Sequence, residues 1–226
     1  MLLSIDTSRD VCSVSLLDGQ HAEERTSDRP RSHAELLAPF VADLLGGTDT
    51  TRLRGVVIVA GPGSYTGLRI GLASAKGLCL ALRAPLLAVS TLEVMAFAAF
   101  EGMPPGAFPA GHSVIVTPRF PARKGEWYVG AYEMSMTLPG TPKGLVPDTV
   151  VGNADVAPWI TRHVGERAHL DTGHEANATW AARLVQNAPH AYLQEDASSF
   201  EPYYLKEVAA RPRAGSIFDR LPFGGS

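Results

Sequence analysis

The chain has 226 residues, 45% of them hydrophobic and 19% charged, with a formal net charge of −3. This is ordinary globular composition, enough for one large domain or two small ones and for a core of useful size, and it excludes a chain that is basic overall and grips nucleic acid through its average charge. The clearest basic run, Arg211-Pro212-Arg213, is short and lies in the tail.

The chain opens directly on Met1-Leu-Leu-Ser-Ile-Asp6, with no charged leader. No apolar run nears the roughly 20 residues of a membrane helix, so a soluble, cytoplasmic protein with no membrane contact is expected. Cys12 and Cys79 both sit in apolar surroundings, which predicts buried reduced thiols and no disulfide framework. Met1 to Ile5 reads as a buried strand ending at Asp6-Thr7-Ser8. Cys12, Val14 and Leu16 alternate with Ser13 and Ser15 in the period of a half-buried strand, Asp18-Gly19 is a hairpin turn, and a third strand is expected to about Arg25. Ser32-His33-Ala34-Glu35 reads as a capping box that opens a helix to Leu45, stopped by Gly46-Gly47. Val56 to Val59 is a short buried strand running into Gly61-Pro62-Gly63-Ser64-Tyr65-Thr66-Gly67, and a long helix continues to about Leu82. Leu86 to Val89 is a further strand, and Ser90-Thr91-Leu92-Glu93 is a second capping box opening a helix to about Phe100.

The turn-rich stretch from Gly102 to Gly111 marks a boundary between halves. Beyond it come strands at Ser113–Thr117 and Trp127–Tyr132 around a Lys124-Gly125 turn, and a loop from Pro139 to Pro147. Helices are expected near Asp155–His163 and Asn177–Asn187, a strand near Ala168–Leu170, and a disordered tail over 208–226. Antiparallel strands followed by alternating helices and strands predict an α/β ribonuclease-H-like domain, a mixed sheet flanked by helices over 1–105, followed by a second half of mixed elements over 106–226.

Gly61, Gly63, Ser64, Thr66 and Gly67 follow a strand and open a helix, so backbone N–H groups could face an anion. The spacing nevertheless fits neither a Walker loop, since Leu68 stands where lysine is needed, nor a dinucleotide fingerprint. A tight turn with close backbone packing is the favoured reading, and phosphate binding stays open as the lesser one. Asp6 and Thr7 at the end of the first strand read first as a capped turn, second as part of such a loop. The histidines at 21, 33, 112, 163, 169, 174 and 190 form no helical metal pair, and His169 and His174, flanking Asp171, read as solvated turn residues. No Gly-x-Ser-x-Gly elbow supports an activated serine.

The two long helices carry too much apolar surface for one small domain. Leu36, Leu37, Phe40, Val41, Leu44 and Leu45 cover nearly half of the first helix, at about 100° per residue. On the second, Arg69 and Lys76 share one direction, nearly all others are apolar or small, and Gly67, Gly71 and Ala75 recur every four residues. A helix–helix interface with another chain is therefore expected. It would use His33, Leu36, Leu37, Phe40, Val41 and Leu44 on one helix and Arg69, Leu72, Ala73 and Lys76 on the other.

Asp6-Thr7, Ser32–Glu35, the block Gly61-Pro-Gly-Ser-Tyr-Thr-Gly-Leu-Arg-Ile-Gly71 with Ala75-Lys76-Gly77, Val89–Glu93, Arg123–Glu126 with Tyr128, and Pro202–Lys206 together resemble the TsaB (YeaZ) family. The likeness is strong over 1–100 and patchy beyond. It implies an actin-like, two-lobed fold and a non-catalytic role in transferring threonylcarbamoyl to N6 of the adenosine beside the tRNA anticodon. It also implies the catalytic paralogue TsaD and the ATPase TsaE as partners, a homodimer through the same helices when alone, tRNA contact only through the complex, and no cofactor. The paralogue's two metal-binding histidines correspond to Thr91 and Met95, so no catalytic metal is expected. Pro121 departs from the family's usual Asp, and Lys206 from its usual Arg. Two rivals remain: an ATP-binding phosphotransferase or ATPase using Asp6, Thr7 and the glycine loop, and a metallopeptidase of the glycoprotease type.

Overall fold

A computed structural model describes residues 1–205 apart from 28, 31, 105–106, 108–112, 136–140, 166–168 and 174, with only the backbone of 169 and 171. The expected disordered tail, the Gly102–Gly111 boundary in large part, His112, His174 and Lys206 lie outside the described residues.

The first sheet has six strands. β1 (Leu2–Asp6), β2 (Ser13–Asp18) and β3 (His21–Thr26) form an antiparallel meander with Leu2 opposite Leu17 and Asp18 opposite His21. β4 (Val56–Val59) and β5 (Leu86–Val89) add parallel to β1 on its other side. Central parallel strands are covered on both faces, which is why β4 and β5 are apolar at every position. Val56 and Ile58 point to one core with Leu3, Ile5, Leu37, Leu72 and Cys79, while Val57 and Val59 point to the other with Leu87, Val89 and Met95. The first core lies under α1 (His33–Leu45) and α2 (Tyr65–Leu82), and the second lies under α3 (Thr91–Glu101).

The second sheet contains β6 (Ser113–Pro121), β7 (Glu126–Ser135), β8 (Lys143–Gly152) and β9 (His169–Thr172), in the order β8-β7-β6-β9. α4 (Val156–Val164) covers its outer face, with Ile115, Ala131 and Val164 buried there. α3 packs against β6 and β7 as well as α5 (Ala178–Asn187). This explains a helix buried from Leu92 to Ala99 with only Glu93 partly open. A helix apolar on all sides must be covered on all sides.

Several expectations change. Residues 143–147, read as loop, belong to β8, where Pro147 is tolerated because an edge strand has an unpaired side for its missing N–H. His169 and Asp171 lie on β9, parallel to β6, and not in a turn. The chain after residue 177, expected with the second lobe, returns to the first sheet. There α5 packs on β1 and β2, and β10 (Leu193–Gln194), following the short α6 (Pro189–Tyr192), pairs with β5. The first capping box is not made: the Ser32 hydroxyl donates to the Arg29 carbonyl at 2.7 Å, and Glu35 pairs with Arg29 at 3.1 Å. The second is made, with Ser90 Oγ accepting from the N–H groups of Leu92 and Glu93, and Glu93 accepting from the Ser90 N–H.

Candidate functional site

The glycine-rich loop and the end of β1 are packed into one another. The Ser64 N–H donates to the Ser8 carbonyl at 2.7 Å, and the Thr7 hydroxyl donates to the Gly67 carbonyl at 2.8 Å. A Cβ on Gly63 would strike Ser8 backbone, and one on Gly67 or Gly71 would strike Thr7. Gly67 therefore admits the backbone of Thr7 and Gly71 its side chain, so the close approach these two glycines allow is made inside the molecule. Ser64 Oγ caps Gly67 N–H at 3.3 Å, so the loop spends two of its backbone donors internally, as the favoured reading of a tight, closely packed turn requires. Asp6 is buried and accepts from the Ser8 N–H and hydroxyl at 2.8 and 2.7 Å. Burial raises its carboxyl, opposed by Arg9 and by these bonds. Gly61, at φ 115°, holds the turn open toward α3, and its carbonyl accepts from Thr91 N–H at 2.8 Å.

Thr91 is fully buried and its hydroxyl donates to the Pro62 carbonyl at 2.8 Å. Met95 is fully buried in the core between the sheets. A thioether and an already committed hydroxyl leave this place without the imidazole pair that the catalytic paralogue is expected to use. Among the described residues no group of three His, Cys, Asp or Glu side chains is arranged to hold a metal ion.

The helix faces divide. Leu37, Val41, Leu44 and Leu72 are buried in the core under α1 and α2, and cannot supply docking area in this fold. They face the sheet because β1, β2 and β4 need covering there. His33 is buried too, with Nδ1 lacking a partner among the described residues. Leu36 and Phe40 are half-buried. On α2 the outward side carries Thr66, Arg69, Ala73, Gly77 and Leu80, with Leu80 84% exposed. On α1 it carries Ala34, Ala38 and Ala42. Arg69 turns back to the Tyr65 hydroxyl at 2.7 Å, and Lys76 donates to the Ser198 carbonyl at 2.8 Å.

Two features lay beyond sequence reasoning. A cleft of about 410 Å³ opens between the loop before α2 and the β6–β7 turn, with Arg9, Ser64, Pro121, Tyr128 and Glu175 on its walls. Arg9 is anchored there by a 2.5 Å bond to the Ala176 carbonyl. A buried polar network also ties the sheets together: Ser90 and Tyr132 each donate to Asp148 at 2.6 Å, and Tyr192 donates to Glu93 at 2.8 Å. Burial raises Asp148 and pushes Glu93 up to about 7. Only the Ser90–Glu93 cap was legible locally, since the other partners come from β7, β8 and α6, far away in the chain.

A mixed sheet of this order, with a second sheet joined to it through a buried helix and a cleft between them, defines an α/β protein of the actin-like, ribonuclease-H-like class. The family model of TsaD, tRNA N6-adenosine threonylcarbamoyltransferase, matches residues 26–149. The chain is 35% identical to the tRNA threonylcarbamoyladenosine biosynthesis protein TsaB of Escherichia coli over 183 residues, covering 77% of this chain and 76% of that one. It is 32% identical to the protein of the same name from Bacillus subtilis, covering 78% and 72%. The solved structure of YeaZ from Pseudomonas aeruginosa superposes with a TM-score of 0.69 at 28% identity, over 90% of this chain and 99% of that one. The chain belongs to the TsaB family.

Proposed function

We propose that this chain serves tRNA threonylcarbamoyladenosine biosynthesis as a non-catalytic companion of a TsaD-type transferase. The TsaB relatives, named for that pathway, and the match to the transferase family model support the pathway and the kinship. The observation that carries the companion role is the outward side of α2, where Ala73, Gly77 and a nearly bare Leu80 lie in one row, with the alanines of α1 on the neighbouring helix. Small residues let a second helix come close, and Leu80 gives it an apolar anchor. Thr91 and Met95, sealed in the core, support a chain that leaves the chemistry to its partner. A second copy would use the same side in the partner's absence, and a TsaE-type ATPase would join the assembled pair. The docking residues are those left exposed or half-exposed, Leu36, Phe40, Arg69, Ala73, Lys76 and Leu80.

Co-purification with the transferase subunit, followed by tRNA modification with and without this chain, tests the reading. Leu80→Glu is expected to lose the partner and the stimulation together. Undiminished capture by that variant places the docking surface elsewhere, and modification that proceeds equally without this chain removes the companion role.

A further inference from the structure

Three segments that carry the family resemblance have no share in the docking row, and they meet at one place. The loop before α2, the β6–β7 turn and the final described residues wall a notch of about 210 Å³, whose lining includes Tyr65, Arg123, Tyr128, Tyr203 and Tyr204. It shares Gly63, Ser64, Ala122 and Tyr128 with the larger cleft, so the two form a continuous groove. The rings are held in place: Tyr204 lies 5.3 Å from Tyr65, Tyr128 lies 5.0 Å from Phe120, and the Arg69 guanidinium sits over the Tyr65 ring at 5.4 Å.

At the rim of the notch the turn presents Arg123 and Lys124 to solvent. No carboxylate among the described residues forms an ion pair with either of them. The turn itself is stiff. Ala122 N–H donates to the Glu126 carbonyl, Asn153 N–H donates to the Gly125 carbonyl, and the Trp127 indole N–H donates to Asn153 Oδ1 at 2.9 Å. Arg119 lies over the other side of this platform, 5.6 Å from the Trp127 ring. A notch of tyrosine faces beside two cations that lack an ion pair among the described residues offers what an unpaired base and its flanking phosphates require, stacking plus local positive charge. The overall charge of −3 does not oppose this, because charges beyond roughly 8 Å are screened at physiological salt.

We propose that the notch receives an unpaired base of a single-stranded RNA loop, with Arg123 and Lys124 on the neighbouring phosphates, so that this chain touches the RNA substrate itself. The choice of RNA rests on the proposed pathway; of the docking residues Arg69 alone reaches the notch, through Tyr65, and Tyr204, Arg123 and Lys124 are not among them.

Fluorescence anisotropy of a labelled anticodon stem-loop RNA with the full chain at low salt tests the proposal, with a fully paired RNA and AMP as comparison arms. Tyr204→Ala is expected to weaken the loop by about tenfold, within the range of one lost base stack. The Arg123→Ala/Lys124→Ala double variant is expected to weaken it and to flatten the slope of log affinity against log salt by about 1.4, two single-strand phosphate contacts. These side chains lie at the surface, so thermal melting should match the parent. The proposal is overturned if the parent does not bind the loop, if neither variant weakens it, or if paired RNA binds equally. Displacement of the loop by AMP at similar concentration also overturns it, in favour of a free-nucleotide site. Partner capture by the same variants reads the docking row separately: it should be unchanged, and a failed docking reading would leave RNA binding intact.

Discussion

Tyr192 donates its phenolic hydrogen to Glu93 Oε1 at 2.8 Å, tying α6 to the first turn of α3. The carboxyl also accepts from Ser90 N–H and lies near Asp148, which is itself held by Ser90 and Tyr132. The tie joins the returning end of the chain to the helix on which both sheets rest.

Burial is the largest influence on Glu93 and pushes it up to about 7 from an ordinary value of 4.5. The folded state therefore holds this proton more tightly than the unfolded chain. Its contribution is fully present below pH 4.5 and is lost as pH rises toward 7, by about 3 kcal/mol in all. Glu93→Gln, which keeps an acceptor for Tyr192 and cannot ionise, should remove this loss. Urea titrations at acid, neutral and mildly alkaline pH should show the variant gaining on the parent as pH rises. Equal pH dependence in the two proteins would count against the assignment.

Gly67 and Gly77 lie on one helix and should respond to alanine in opposite directions. At Gly67 a methyl would strike the Thr7 carbonyl oxygen, whereas at Gly77 nothing lies within 4 Å. Gly67→Ala is expected to destabilise by about 1–3 kcal/mol, the cost of forcing a packed backbone apart. Gly77→Ala is expected to stabilise the isolated chain by about 0.5–1 kcal/mol through helix propensity. Chemical denaturation of the two variants checks the pair, and a loss at Gly77 would contradict its open surroundings.

Leu72 and Leu80 separate folding from docking. Leu72 is 5% exposed and Leu80 84% exposed. Leu72→Ala should cost about 2–5 kcal/mol of stability as a core cavity. Leu80→Glu should change stability by no more than about 0.5 kcal/mol while abolishing partner capture. Melting temperature and co-purification measured together distinguish them. A Leu80→Glu protein that melts like the Leu72 variant would show that this side chain supports the fold instead.

Local chemistry determined much of this protein from the chain alone. The apolar runs at Val56–Val59 and Leu86–Val89, the Asp18-Gly19 turn and the Ser64 and Ser90 caps all form as their residues dictate, because period, turn and cap chemistry act over a few residues. The loop before α2 carries the family likeness in one contiguous block. Tertiary structure decided what covers each face. It placed Thr7 against Gly67 and Gly71, sent Leu37 and Leu72 inward, and left Ala73 and Leu80 outward. It also made β8 a strand despite Pro147, brought α5 back to the first sheet, and gathered Tyr65, Arg123 and Tyr204 around one notch. Periodicity shows that a surface is apolar. Which neighbour buries it depends on contacts between residues far apart in the chain.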